Sequence, residues 1–165
     1  VAGSLANPIH NSLAAFYPGN LALSGKYLDE AVESCFATHQ IMRKFGAIPE
    51  GFHLNADGIV DGQVGYPLRP EHAESLYMLY RVTRDPIFLR MGKEFATMLW
   101  TRTATSCGFA ALRDCSLPPN QQRHVDAMES FLLSETLKYL WLLFDEDNYL
   151  HASSSQQDDV EDTPR

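Results

Sequence analysis

The chain has 165 residues, 45% of them hydrophobic, including two Trp, seven Tyr and nine Phe. This composition suffices for one packed domain and excludes a chain that is disordered throughout. The formal net charge is −8, but seven of the 21 acidic residues follow Phe144, and no basic stripe exists that would favour nucleic-acid binding.

The sequence contains no apolar run long enough to predict a membrane-spanning helix. Its first residues lack the charged flank and apolar stretch of a signal peptide. Because it begins at Val1 and not at Met, we expect a processed product or a segment of a longer protein.

Two helices are predicted in the first part of the chain. In "NSLAAFYPG", Leu13, Phe16 and Tyr17 share one helical face, and Pro18-Gly19 is expected to end a short helix. Over residues 23–45 the apolar side chains recur with a period of about 3.6 residues. This pattern predicts the first long helix, and Gly46 suits the position just after its end.

Turn-forming residues are dense over residues 47–65, which predicts an irregular loop with little buried structure. A second long helix is predicted over residues 70–82, with Pro70 in its first turn. Asp85-Pro86 separates it from a third helix over residues 87–102.

The remaining elements are an extended arm, a helix and a tail. "CGFAALRD" is short and Gly-led and predicts a β-hairpin arm, whereas residues 126–144 predict a fourth helix that is apolar on most sides. The polar, acidic residues 149–165 predict a disordered tail. The fold class is therefore expected to be all-α, built from antiparallel helical hairpins over residues 1–148.

Three cysteines, Cys35, Cys107 and Cys115, allow at most one internal disulfide and match no zinc-binding spacing. Cys107 and Cys115 flank a predicted turn, so a bridge between them fits an oxidising compartment. Three reduced thiols are an equal alternative.

The stretch "YPLRPEHAES" places Arg69, Glu71 and Glu74 at the start of a predicted helix. One interpretation is an ordinary helix N-terminus, where glutamates interact favourably with the helix dipole. The other is an acid site, because Glu71 and Glu74 share a helical face and arginine can hold a carboxylate in fixed geometry.

A second acidic element, "MESFLLSETLKYLWLLF", places Glu129 and Glu135 in a strongly apolar segment. Burying a carboxylate is costly unless it is paired or faces a polar cavity. Phe131 and Glu135 share a helical face and would suit a sugar site, but an amphipathic helix with its glutamates in water is the alternative. The six histidines show no metal-ligand spacing, and we assign them no function.

The sequence resembles the class I α-1,2-mannosidases, glycoside hydrolase family 47, and is most similar to the ER degradation-enhancing α-mannosidase-like branch. The blocks that carry this resemblance are collinear over residues 11–148: "NSLAAFYPGNLAL", "GAIPEGF", "YPLRPEHAESLYMLYRVTRDP", "CGFAAL" and "MESFLLSETLKYLWLLFDEDN".

The resemblance implies an (α/α)7 barrel in which a calcium ion binds the terminal mannose of a high-mannose N-glycan, and hydrolysis that inverts the anomeric centre. It implies that Glu71 is the general base, that Arg69 contacts sugar, and that Glu74 holds calcium-bound waters. Phe131 would pack on the mannose and Glu135 would bind its hydroxyls. The residues expected around calcium, through water, are Glu71, Glu74 and Glu135, and Glu129 is expected to line the cavity.

This sequence also departs from the family. It resembles only about the last third of the catalytic domain, so the motifs for the general acid and the threonine that ligates calcium directly are not among its residues. Ser12 replaces a histidine of the processing enzymes, Ala127 replaces a usually basic residue, and the disulfide partner position of Cys35 is Ala15.

Three functions remain open for the chain. The first is part of a calcium-dependent mannosidase that acts on misfolded glycoproteins in the ER lumen, with an ER oxidoreductase as a further partner. The others are a non-catalytic mannose or glycoprotein binder, and a truncated inactive remnant. Because four helices cannot close a barrel, we expect exposed apolar patches, weak calcium binding and no hydrolysis from the chain alone.

Overall fold

The structure is a computed structural model that describes residues 8–54 and 58–151. It is mainly helical, which confirms the predicted all-α class. The α-helices are α1 (Tyr17–Ser24), α2 (Leu28–Phe45), α3 (Glu71–Thr83), α4 (Pro86–Thr103) and α5 (Lys138–Phe144). Helix α3 is central, because it packs against each of the other four.

The two helices around Asp85 were predicted to within about one residue. Helix α3 begins at Glu71, so Pro70 precedes the helix, and it ends at Thr83, which is followed by Arg84 in the left-handed conformation with φ 56°. The Asp85 side chain then accepts a hydrogen bond of 2.8 Å from the backbone N–H of Ile87 and caps α4. The tight connection makes α3 and α4 an antiparallel pair.

The prediction that Pro18-Gly19 ends a helix is wrong. A 3₁₀ turn (Ser12–Phe16) leads into α1, and Pro18 lies in the first turn of α1. Backbone N–H groups in a first turn have no intrahelical acceptor, so a proline there loses no hydrogen bond. Gly19 allows close approach to α3, since a Cβ there would lie 3.3 Å from the Cα of Ser75. The pair therefore starts a helix at a tight helix–helix contact.

The predicted long helix over residues 23–45 is divided. Gly25 adopts the left-handed conformation with φ 67° and ends α1, and α2 begins only at Leu28. The predicted end is confirmed: Gly46, with φ 71°, follows α2, and its N–H donates to the Met42 carbonyl at 2.7 Å.

Residues 47–65 contain more structure than predicted. Strands β1 (Ile9–Asn11), β2 (Gly51–His53) and β3 (Gly58–Ile59) form an antiparallel sheet in the order β1-β2-β3. Ala47 and Ile48 are buried beside it. The density of turn formers concealed these strands because each is only two or three residues long.

The arm after α4 is extended, as predicted. Strands β4 (Ala104–Thr105) and β5 (Gly108–Phe109) form a hairpin, and β6 (Ala111–Leu112) pairs with β7 (His124–Val125).

The helix predicted from residue 126 starts later, with a π-helical segment (Leu132–Leu137) that continues into α5. Residues 126–130 cannot join it because Ala127 accepts a backbone hydrogen bond of 3.0 Å from Ala111 beside β6. Glu129 therefore lies outside the helix in which it was expected.

The predicted disordered tail is wrong for its first three residues. Tyr149–His151 form a 3₁₀ turn, the His151 ring stacks on Tyr77, and the His151 carbonyl accepts a hydrogen bond of 3.1 Å from Arg81. The rest of the predicted tail, residues 152–165, lies outside the described residues.

Large aromatic side chains are exposed between α4 and α5, as expected for a few helices of a barrel. Trp100 is 68% exposed, Trp141 53% and Phe144 48%, and they line an apolar groove of about 630 Å³. Within the described ranges, no helix is long and apolar enough to cross a membrane. The three cysteines are free thiols there, with Cys35 and Cys115 buried and Cys107 exposed.

Candidate active site

The candidate site begins at Leu68, immediately before the first turn of α3. Leu68 is fully buried and has φ 70°, a left-handed conformation that is rare for a residue with a branched side chain. Its carbonyl accepts a buried hydrogen bond of 2.8 Å from the Thr136 hydroxyl. This turn separates Tyr66, which is paired with Leu112 across a β-bridge, from the start of α3.

Arg69 is held by a carboxylate that the sequence analysis did not select. Its Nε and Nη2 atoms donate to the two carboxylate oxygens of Glu50 at 2.8 and 2.9 Å, a bidentate pair that fixes the plane of the guanidinium. Ser12 adds a 3.4 Å hydrogen bond to Glu50. Glu50 lies in the loop after α2, where no periodicity marks it. The signal that could have found it is the need of a half-buried arginine for a carboxylate partner.

Glu71 opens α3, with its side chain 14% exposed. Its Oε1 lies 3.9 Å from Nη1 of Arg69, whereas its Oε2 is buried and has no hydrogen-bond partner within residues 8–54 and 58–151. Burial raises the pKa of Glu71, and the charges of Glu50 and Glu135 raise it further against the opposing effect of Arg69. This carboxylate is therefore a better base than an ordinary surface glutamate.

Glu74 lies one turn further along α3 and is held by an aromatic pair. The Tyr139 hydroxyl donates to Glu74 Oε1 at 3.0 Å, and the Tyr139 and Tyr77 rings lie 5.9 Å apart. Burial, with the neighbouring Glu74 charge second, raises the pKa of Tyr139 to about 12. The phenol thus remains a hydrogen-bond donor to Glu74 at neutral pH.

The structure brings the two acidic elements of the sequence together. The Phe131 ring centroid lies 6.0 Å from Cζ of Arg69, and the charge of half-buried Glu135 acts on both Glu71 and Tyr139. Glu129 is exposed and lines a groove of about 480 Å³ together with Arg69 and Glu50. Glu129 therefore borders the site, and Glu135 lies close enough to Glu71 and Tyr139 for its charge to act on both.

Two histidines to which the sequence assigned no function form a buried pair between α2 and α3. His72 Nε2 and His39 Nδ1 lie 3.0 Å apart, and His39 Nε2 lies 3.1 Å from Oε2 of Glu94. Glu94 also accepts two hydrogen bonds from Arg43, at 2.7 and 2.6 Å. The network ties α2, α3 and α4 together beside Glu71. Sequence spacing could not reveal it, because the network joins residues of three different helices.

The carboxylates around Glu71 are candidates for contact with calcium. Among the described residues, no group of three or more His, Cys, Asp and Glu side chains could hold a metal ion. However, carboxylate oxygens are the hard donors that Ca²⁺ prefers, and Glu71 Oε2 is buried without a described partner. The residues therefore fit contact with calcium-bound waters, and they do not form a complete shell of direct ligands.

Comparison with known proteins gives consistent results. The model of Glycosyl hydrolase family 47 matches residues 2–158. The chain is 44% identical over 138 residues to alpha-mannosidase I MNS4 of Arabidopsis thaliana, covering 84% of this chain and 21% of that protein. It is 36% identical over 158 residues to ER degradation-enhancing alpha-mannosidase-like protein 2 of Homo sapiens, covering 96% of this chain and 26% of that protein.

A solved structure, the alpha-1,2-mannosidase from Trichoderma reesei, matches with a TM-score of 0.79 and 26% identity. The match covers 90% of this chain and 36% of that one, so the chain spans only a minor part of the length of its relatives. The match confirms the predicted fold class, helical hairpins that form part of an (α/α)7 barrel. The chain therefore belongs to glycosyl hydrolase family 47.

Proposed function

We propose that the residues around Arg69 and Glu71 form part of the active site of an α-1,2-mannosidase that acts on high-mannose N-glycans. The observation that carries this proposal is the geometry of Glu71. One carboxylate oxygen is buried without a partner among the described residues, beside an arginine whose plane is fixed by Glu50. A preorganised carboxylate of raised pKa suits a general base.

In this mechanism Glu71 Oε2 accepts a proton from a water molecule, and the oxygen of that water attacks the anomeric carbon. Attack on the face opposite the leaving oxygen inverts the anomeric centre. Inverting enzymes place the acid about 6.5 to 9.5 Å from the base to admit the water. The described carboxylates supply the base side, and we assign the general acid to none of them.

The sugar would be bound by side chains that already surround Glu71. Arg69 has Nη1 directed to the Glu71 side and would donate to a sugar oxygen, Phe131 would pack on the ring, and Glu135 and Glu129 would accept hydroxyl hydrogen bonds. Glu71, Glu74 and Glu135 would hold a calcium ion through water, and the ion would be coordinated by hydroxyl oxygens of the sugar. Tyr139 orients Glu74 for this contact.

The family relatives support a place in the ER. Proteins named for ER degradation-enhancing activity are among the matches from Homo sapiens, Schizosaccharomyces pombe and Saccharomyces cerevisiae. We extend the proposal to the ER lumen, with misfolded glycoproteins as substrates and an oxidoreductase as a further partner. The second candidate is a non-catalytic mannose binder, favoured by the presence of sugar-contacting and base-side groups without an assigned acid.

The experiment is a calorimetric titration of the folded chain with 1-deoxymannojirimycin, with and without Ca²⁺. We expect inhibitor binding that requires calcium and that falls by about tenfold or more in Glu71→Gln, because a charged hydrogen-bond acceptor is lost. Glu33→Gln is the matched control, since Glu33 is an exposed glutamate on α2.

Three outcomes separate the alternatives. Calcium-dependent binding that Glu71→Gln weakens and Glu33→Gln does not would support the site. Binding without hydrolysis of an α-1,2-mannobiose in the full-length protein would favour the mannose binder. Absence of any calcium-dependent binding in a sample with the helical circular dichroism of the fold would refute both.

A further inference from the structure

Leu68 has a backbone conformation that nothing in its own side chain favours. Two non-glycine residues of the described chain have positive φ, Leu68 and Arg84. Arg84 follows the end of α3, where a left-handed residue is common. Leu68 instead lies in the irregular turn between Tyr66 and the start of α3, and a left-handed residue in such a place persists only when its surroundings hold it.

Thr136 supplies that constraint through an atypical hydrogen bond. The threonines of α2, α3 and α4 bond to the carbonyl four residues earlier in their own helix: Thr38, Thr83, Thr97, Thr101 and Thr103. Thr136 instead donates across the interface to the Leu68 carbonyl at 2.8 Å. Both residues are fully buried, so no bulk water competes for the bond.

The segment that carries Thr136 is also atypical. Leu132–Leu137 is π-helical, and such segments occur frequently at functional sites. It carries Glu135 next to Thr136, and Phe131 immediately precedes it. The Thr136 to Leu68 bond therefore connects the segment that presents Glu135 to the turn that presents Arg69.

We propose that Thr136 is a positioning residue for Arg69. Its hydroxyl holds Leu68 in the left-handed conformation, and this conformation aims the Arg69 side chain at the carboxylate of Glu50 and at the Phe131 ring. When the bond is removed, Leu68 relaxes to an extended conformation and the bidentate pair opens. That the ordered Arg69 side chain contacts a sugar rests on the function proposed above, whereas the effect of Thr136 on the conformation of Arg69 does not.

The test measures hydrogen exchange of the Arg69 Nε–H by NMR, with the resonance assigned from Arg69→Lys. In the wild type this N–H is protected by its 2.8 Å bond to Glu50. We expect Thr136→Val, which has nearly the same shape and no donor, to speed its exchange by about tenfold or more. Thr136→Ser retains the hydroxyl and should keep wild-type exchange.

Thr103→Val is the matched control for burying a valine, because Thr103 is also fully buried and its hydroxyl donates to the Leu99 carbonyl of its own helix. It should leave Arg69 protected. Thr136→Ala is the second variant in case Thr136→Val does not fold, since it removes the hydroxyl and adds no new group to the buried site.

Wild-type protection of Arg69 in a folded Thr136→Val or Thr136→Ala protein would overturn the proposal. Loss of protection in these variants, with recovery in Thr136→Ser, would support it. If protection is lost while inhibitor affinity stays unchanged, the positioning role stands and the proposed sugar contact of Arg69 fails.

Discussion

Acidification should destabilise this protein through His72, and the sign follows from its burial. His72 lies fully inside the core, between His39 and the ring of Phe95. Burial, followed by the neighbouring His39 and His10, lowers the pKa of His72 from 6.5 to about 3. The folded protein therefore keeps this imidazole neutral over the pH range in which the unfolded chain protonates it.

Proton linkage sets the size of the expected loss in the free energy of unfolding. Below pH 6.5 the unfolded chain binds one more proton at this position than the folded protein, so stability falls by up to about 1.4 kcal/mol per pH unit. Between pH 7 and pH 5 this amounts to about 2 kcal/mol from His72. His39 adds to the effect, since burial also lowers its pKa. Glu94, whose pKa Arg43 lowers to about 2, loses its contribution only at more acidic pH.

Urea unfolding followed by far-ultraviolet circular dichroism at pH 7, 6 and 5 measures this loss. With a slope of about 2 kcal/mol per molar urea, the midpoint should fall by about 1 M over this range. His72→Gln, which retains an N–H donor for His39, should remove most of the pH dependence. His124→Gln, a change at an exposed histidine, should retain it. An unchanged pH dependence in His72→Gln would refute the reasoning.

Two further changes test the site and the fold. Glu71→Gln should raise the free energy of unfolding at pH 7 by about 1 kcal/mol. Burial raises the pKa of Glu71, so the charged carboxylate costs stability above that pKa. In urea unfolding at successively lower pH, the difference in stability between the variant and the wild type should vanish. Gly46→Ala should cost about 1 to 2 kcal/mol for the left-handed backbone and more for displacing Arg102, whose guanidinium occupies the Cβ position. Gly25→Ala has a similar φ of 67° and no described atom within 4 Å, so equal urea midpoints for the two variants would contradict the contribution of Arg102.

The sequence predicted helices α3 and α4 well because local signals agree there. Apolar periodicity is regular over both, and Asp85-Pro86 gives an unambiguous boundary that the Asp85 cap confirms. The errors occurred where tertiary contacts override the local signal. Pro18-Gly19 indicates a helix end by composition, but the approach of Ser75 to Gly19 makes it a helix start.

The candidate site was only partly predictable, because it assembles from segments that are distant along the chain. The local sequence around Arg69 and Glu71 was compatible with an ordinary helix N-terminus, and only the family resemblance separated the two interpretations. Glu50 lies in the block "GAIPEGF" that contributes to the resemblance, but nothing in that block assigned it a role. Its importance comes from the 2.8 and 2.9 Å bonds to Arg69. The roles assigned to the individual acids remain predictions that the titrations above address.

Two departures from regular backbone geometry, the left-handed Leu68 and the π-helical segment of Thr136, meet at one hydrogen bond between these residues. Neither a left-handed leucine nor a π-helical segment lowers the energy of an isolated chain, so folding stability alone does not account for them. Each places a charged side chain, Arg69 and Glu135, beside Glu71, which lies at the start of the regular and well-predicted helix α3. Prediction from sequence therefore fails in the two irregular segments that position these charged side chains. For the same physical reason, we expect a substitution in these two segments to change the geometry of the site more than it changes the free energy of unfolding.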